Sequence, residues 1–65
     1  MINTWDNLFK HYGFKRIKRC YNCRFYFNKE KEMYAMVDEL LKFVEIGTER
    51  LPYTVLHTEI KLKSL

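Results

Sequence analysis

Glycine, proline and cysteine are all scarce in this chain. Its 65 residues contain two glycines, one proline and two cysteines. Two cysteines are too few for a small secreted scaffold that several disulfides hold together, so we expect reduced thiols and a cytoplasmic protein. No repeat, low-complexity tract or linker interrupts the sequence. Residues 1–65 are therefore predicted to form a single compact domain.

Long apolar runs are missing as well. No stretch approaches the roughly 18 residues that a membrane-spanning helix requires. The opening segment, MINTWDNLFK, lacks the basic start and the apolar run of a secretion signal. These two absences predict a protein without a membrane partner.

Acidic residues are absent from one long window, between Asp6 and Glu30. This window contains seven basic residues: Lys10, Lys15, Arg16, Lys18, Arg19, Arg24 and Lys29. The net charge of the whole chain is +4, so the rest of the sequence is mildly acidic. A charge excess confined to one segment indicates an anionic partner for that segment.

Residues 4–28 are predicted to form a helix followed by a β-hairpin. Residues 4–12 carry the helical stripe Trp5, Leu8, Phe9 and Tyr12, with Asn3 as N-cap and Gly13 as the stop. Residues 14–28 are rich in aromatics and are predicted to form a β-hairpin. An odd-numbered loop around Tyr21–Cys23 would place Ile17, Phe25 and Phe27 in the core. The same register would leave Arg16, Lys18, Arg24 and Tyr26 in water.

The remaining sequence is predicted to form a second helix and a third strand. Residues 29–46 show a helical stripe of Met33, Met36, Val37, Leu40 and Val44, and residues 53–63 alternate like a half-buried strand. The expected fold class is α+β, in the order α-β-β-α-β, with a three-stranded, mainly antiparallel sheet and two helices on one face. We expect the strand order 2-1-3, with 1-2-3 as the alternative. The expected core consists of Trp5, Phe9, Ile17, Phe25, Phe27, Met36, Val37, Leu40, Leu56 and Ile60.

The basic hairpin is the predicted functional surface. Nucleic-acid binders combine lysine and arginine for phosphates with aromatics for bases. The predicted partner-binding residues are Arg16, Lys18, Arg24, Tyr26, Lys15, Arg19, Lys61 and Lys63. These residues favour a small non-enzymatic binding module without a cofactor, whose partner is nucleic acid or a nucleic-acid-handling protein.

Two alternatives remain open. Cys20 and Cys23 in CYNC have the spacing of half a zinc knuckle, but only His11, His57 or a second chain could complete a four-ligand site. The chain could instead be a protein-binding inhibitor or modulator of the kind that phages and mobile elements encode. Tyr34, Leu41 and Phe43 would then provide the contact, with a homodimer as a further possibility.

Overall fold

The computed structural model describes residues 4–65 as two helices that flank five strands. Their bounds are α1 (Thr4–His11), β1 (Lys15–Arg19), β2 (Cys23–Asn28), β3 (Met33–Asp38), β4 (Phe43–Ile46), β5 (Glu49–Pro52) and α2 (Val55–Lys63). The predicted N-cap, Asn3, lies outside the described residues. No helix within residues 4–65 has the length and apolar character to cross a membrane.

The strands form one antiparallel sheet in the order β1-β2-β3-β4-β5. Each strand therefore pairs with the next one along the chain. The predicted α+β class with two helices and an antiparallel sheet is confirmed. The prediction of three strands in the order 2-1-3 or 1-2-3 is wrong, as is the element order α-β-β-α-β.

The predicted helix over residues 29–46 is instead a pair of strands, β3 and β4. Two turns make this possible, and each contains a residue with positive φ: Glu32 at 51° and Lys42 at 60°. In the second turn, the Asp38 carboxylate accepts the backbone N–H groups of Leu40 and Leu41 at 2.9 and 2.7 Å. The bond from Leu41 is the main cause that lowers the pKa of Asp38 below its ordinary value. This turn reverses the chain where a helix would have continued.

The predicted strand over residues 53–63 is instead helix α2. The Thr54 hydroxyl caps the helix by accepting the His57 N–H at 3.2 Å. Thr58 and Leu62 are buried one helical turn apart. Leu56 and Ile60, which were expected in the core, lie on the outer side of α2 and are 64% and 59% exposed.

The core lies between the two helices and one face of the sheet. Its buried apolar side chains are Trp5, Phe9, Phe14, Tyr26, Ala35, Val37, Val44, Ile46 and Leu62. The predicted core positions Trp5, Phe9 and Val37 are confirmed. Leu40 and Ile17 are exposed, at 69% and 53%, so their predicted burial is wrong.

The hairpin of β1 and β2 does not have the predicted register. Arg19 pairs with Arg24, and the Cys20 N–H donates to the Cys23 carbonyl at 2.9 Å, so the turn contains two residues. The predicted odd-numbered loop is wrong. A β-bulge then places Ile17 and Lys18 together against Phe25. The bulge brings Arg16 opposite Tyr26, on the helical side of the sheet.

Tyr26 joins the sheet to helix α1. Its ring stacks on Phe9 with the centroids 4.3 Å apart, and its hydroxyl donates to the Asp6 carboxylate at 2.6 Å. Arg16 pairs with the other oxygen of Asp6 at 3.1 Å. Burial, with the Asp6 hydrogen bond second, raises the pKa of Tyr26 far above its ordinary value. Tyr26 therefore stays a neutral donor inside the fold.

We expect Tyr26→Phe to lower the free energy of unfolding by about 1–2 kcal/mol. A hydrogen bond to a charged group contributes roughly 1.5–3 kcal/mol, and Asp6 retains Arg16 and some solvent. Because the folded pKa of Tyr26 is raised, wild type should also lose stability relative to the variant as the pH rises above about 10. Urea unfolding midpoints measure both effects. The control is Tyr34→Phe on an exposed ring, which should change stability by less than about 0.5 kcal/mol. Equal losses in the two variants would contradict the anchoring role of Tyr26.

Candidate functional site

Five apolar side chains from β2, β3 and β4 lie on the sheet face that points away from the helices. We call this surface the open face; its residues are Phe25, Phe27, Tyr34, Met36 and Phe43. Strand β2 shows the division, because Arg24, Tyr26 and Asn28 are buried while the alternating residues are half-buried. Tyr34 is 63% exposed. Exposing a contiguous aromatic face to water is unfavourable, and such patches on soluble proteins mark interaction sites.

Cross-strand pairing arranges the open face in rows. Phe27 lies opposite Tyr34, with their ring centroids 4.7 Å apart. In the next row, Phe25 lies opposite Met36, and Met36 lies opposite Glu45. Between these rows is a shallow hollow of about 300 Å³, lined by Phe25, Tyr34, Ala35, Met36, Glu45 and Gly47. The hollow is at the lower end of the volume range of small-molecule sites.

Cations border the open face along edge strand β1. All five residues of β1 are exposed. Lys15 lies opposite Phe27, and Lys18 lies opposite Phe25, so each lysine stands beside an aromatic ring. Neighbouring strands are about 4.8 Å apart, so the backbone of each lysine lies one strand spacing from that of its phenylalanine.

Another cation borders the face at the opposite edge. The Arg50 guanidinium on β5 lies 4.0 Å from the centroid of the Phe43 ring. Such a contact is a cation–π interaction, which also holds the planar guanidinium against the ring. The open face therefore has positive charge at both of its edges.

The structure brings some of the predicted site residues together and separates others. Lys15 and Lys18 are exposed along β1 next to the open face, whereas Arg19 is exposed on the helical side, opposite Arg24. Arg16 also lies on the helical side of β1, where it is paired with Asp6. Lys61 pairs with Glu49 at 2.9 Å. Together with Lys63 it belongs to α2, on the helical side of the sheet, so neither lysine extends the surface formed by β1.

The predicted exposure of Arg24 and Tyr26 is wrong. Both side chains are buried, at 7% and 0% exposed. Arg24 forms an ion pair with Glu39, and Tyr26 forms the anchor to α1. Because the side chains of a strand alternate, the burial of these two residues directs Phe25 and Phe27 to the open face.

Cys20 and Cys23 are free thiols at the β1–β2 turn. The Cys23 thiol donates to Asp38 at 3.6 Å, and burial followed by the charge of Asp38 raises its pKa. Both effects disfavour the thiolate that a metal or a nucleophilic reaction requires. Among residues 4–65, no three histidine, cysteine or acidic side chains are grouped to hold a metal ion. His57 hydrogen-bonds Thr54 at the start of α2.

Sequence reasoning missed the residues of the open face as members of one surface. Phe25 and Phe27 were expected in the core, while Tyr34, Met36 and Phe43 were placed on a helix. The available signal was the aromatic content of β2, which places three rings within Phe25–Phe27. Because side chains of a strand alternate between two faces, burying Tyr26 leaves Phe25 and Phe27 on the outer face, whereas burying Phe25 and Phe27 leaves only Tyr26 there.

Comparisons of the chain with protein-family models, with curated proteins and with solved structures found no match. Function is therefore inferred from the geometry of the open face and its charged edges.

Proposed function

We propose that this protein is a small binding module for single-stranded nucleic acid. The bases stack on the open face, and the phosphates follow the basic edge strand β1. The observation that carries the proposal is the cross-strand register, which sets Lys15 beside Phe27 and Lys18 beside Phe25. Each pair offers one cation for a phosphate and one ring for a base.

The aromatic rings support a single strand rather than a duplex. Single-strand binders stack unpaired bases on exposed aromatic side chains, and a four-stranded sheet is one of the platforms that they use. The rings of Phe27 and Tyr34 already lie in contact, with Tyr34 the more exposed. Bases inside a duplex are stacked on one another and do not present their faces to such a surface.

The charges support a polyanionic ligand. Among the described residues, Lys15, Lys18 and Arg19 have no ion pair, whereas Arg16 is held by Asp6. Two of these unpaired cations, Lys15 and Lys18, lie beside the open face, where they raise the local concentration of an anion and can replace its counterions. Charges of this kind also keep the free edge of a sheet from pairing with other chains.

A second candidate function is binding to a protein, as an inhibitor or modulator. It is favoured by three exposed apolar side chains at two adjacent turns: Tyr21, Leu40 and Leu41 are 100%, 69% and 70% exposed. The Glu39 N–H donates to the Asn22 carbonyl at 2.8 Å and joins the two turns. An apolar contact surface there would be much less sensitive to salt than phosphate contacts are.

We expect Lys18→Glu to weaken binding of a single-stranded oligonucleotide by about 1–2 kcal/mol, or about 5- to 30-fold. The variant should also reduce the dependence of log affinity on log salt concentration by about 0.7, the value of one phosphate contact on a single strand. Fluorescence anisotropy at several salt concentrations measures both quantities.

The matched control for this experiment is Lys63→Glu. It makes the same change in net charge at an exposed lysine of α2, on the helical side of the sheet. It should leave most of the affinity and the salt slope unchanged. Equal effects of the two variants would mean that only net charge matters, and the docking of phosphates on β1 would then be wrong.

We expect Tyr34→Ala to cost about 1–3 kcal/mol of oligonucleotide affinity, the range for losing one stacked base. Tyr21→Ala, which removes an exposed ring from the β1–β2 turn, should have no effect. Both proteins should keep the wild-type circular dichroism spectrum, because neither ring is buried. If Tyr21→Ala lowers the affinity and Tyr34→Ala does not, the bases do not lie on the open face.

A further inference from the structure

Glu45 on β4 places a carboxylate among the rings of the open face. Glu45 lies between Met36 and Arg50 in the cross-strand row, and it lines the hollow with Phe25 and Tyr34. No ion pair involves Glu45 among residues 4–65. The neighbouring Arg50 places its guanidinium on the ring of Phe43. The carboxylate is therefore available to a ligand in the hollow.

An acidic group on a face that binds a polyanion has an electrostatic cost, and the cost depends on its distance from the phosphates. Strands β1 and β4 are separated by three strand spacings, which is about 14 Å. The Debye length at physiological ionic strength is about 8 Å. Phosphates that follow Lys15 and Lys18 are thus well screened from Glu45, and only the base reaches across β2 and β3 toward it.

The chemistry of Glu45 selects which base edge can face it. An ionised carboxylate only accepts hydrogen bonds. The N4 amino group of cytosine donates one, and acidic side chains accept from it in other complexes. Uracil has a carbonyl oxygen, O4, at the same place, and this oxygen would face the carboxylate without a proton between them. A buried pairing of two acceptors is unfavourable because both lose water without replacement.

We infer that the hollow holds a base with an exocyclic amino group and that Glu45 is the residue that recognises this group. The inference rests on the proposed nucleic-acid function. Phe25 and Tyr34 supply the rings beside the base, Met36 lines the hollow opposite Phe25, and Glu45 lies on the far side of the hollow from β1. Cytosine is distinguished from uracil at this position, although the two pyrimidines have nearly the same size.

The experiment compares binding of oligocytidine and oligouridine of equal length to the full chain by fluorescence anisotropy. We expect wild type to bind oligocytidine about tenfold more tightly, the factor that corresponds to one discriminating hydrogen bond of moderate strength. In Glu45→Gln, the side-chain amide can also donate to O4 of uracil. The preference should therefore fall to within about twofold in this variant, with oligouridine binding gaining most.

The control variant is Glu59→Gln on α2, which removes the same charge from the helical side of the sheet. It should keep the tenfold preference. A preference that survives Glu45→Gln would overturn the role of Glu45. Equal binding of both oligomers by wild type, still weakened by Lys18→Glu, would overturn the inference while leaving the nucleic-acid function intact. Absence of binding to either oligomer would overturn the proposed function and the inference together.

Discussion

The stacking of Tyr26 on Phe9 determines which side of the sheet faces the helices. The Tyr26 ring lies 4.3 Å from the Phe9 ring, and its hydroxyl donates to Asp6. The face of β2 that carries Tyr26 therefore packs in the core. Since side chains of a strand alternate, Phe25 and Phe27 are committed to the open face by the same contact. The register with β3 then adds Tyr34 and Met36 beside them. The candidate site is thus a consequence of how helix α1 is anchored.

The charge pattern follows the same division. Of the basic residues of the hairpin, Arg24 faces inward and is neutralised by Glu39, while Arg16 is held by Asp6 on the helical side. Lys15 and Lys18 remain beside the rings. Pairing the inward cations avoids the cost of a buried charge and leaves the outward ones available to a ligand. A run of like charges in the sequence therefore contains residues with two different roles.

The sequence predicted helix α1, the β1–β2 hairpin and the α+β class, but it misassigned residues 29–46 and residues 53–63. Met33, Met36, Val37, Leu40 and Val44 fit a helical stripe, yet Ala35 and Val37 also fit the alternation of a strand. The turn that decides between them uses Lys42 at φ 60°, without the glycine or asparagine that normally marks such a position. Residues 53–63 were predicted to be a strand but form a helix. Thr58 and Leu62 face the core at helical spacing. Leu56 and Ile60 fit the alternation of a buried strand face, yet they point outward. The basic segment was found because charge is local in sequence. The open face was missed because it depends on the register of three strands, β2, β3 and β4.

The most direct test of the central claim is a map of where a single strand contacts the protein. Titration of isotope-labelled protein with oligocytidine, followed by two-dimensional NMR, reports each backbone amide separately. We expect concentrated shifts at Lys15, Lys18 and the open-face residues Phe25, Phe27 and Tyr34, with α2 (Val55–Lys63) unaffected. Shifts centred on Tyr21, Leu40 and Leu41, or on the outer side of α2, with the open face unchanged, would contradict it.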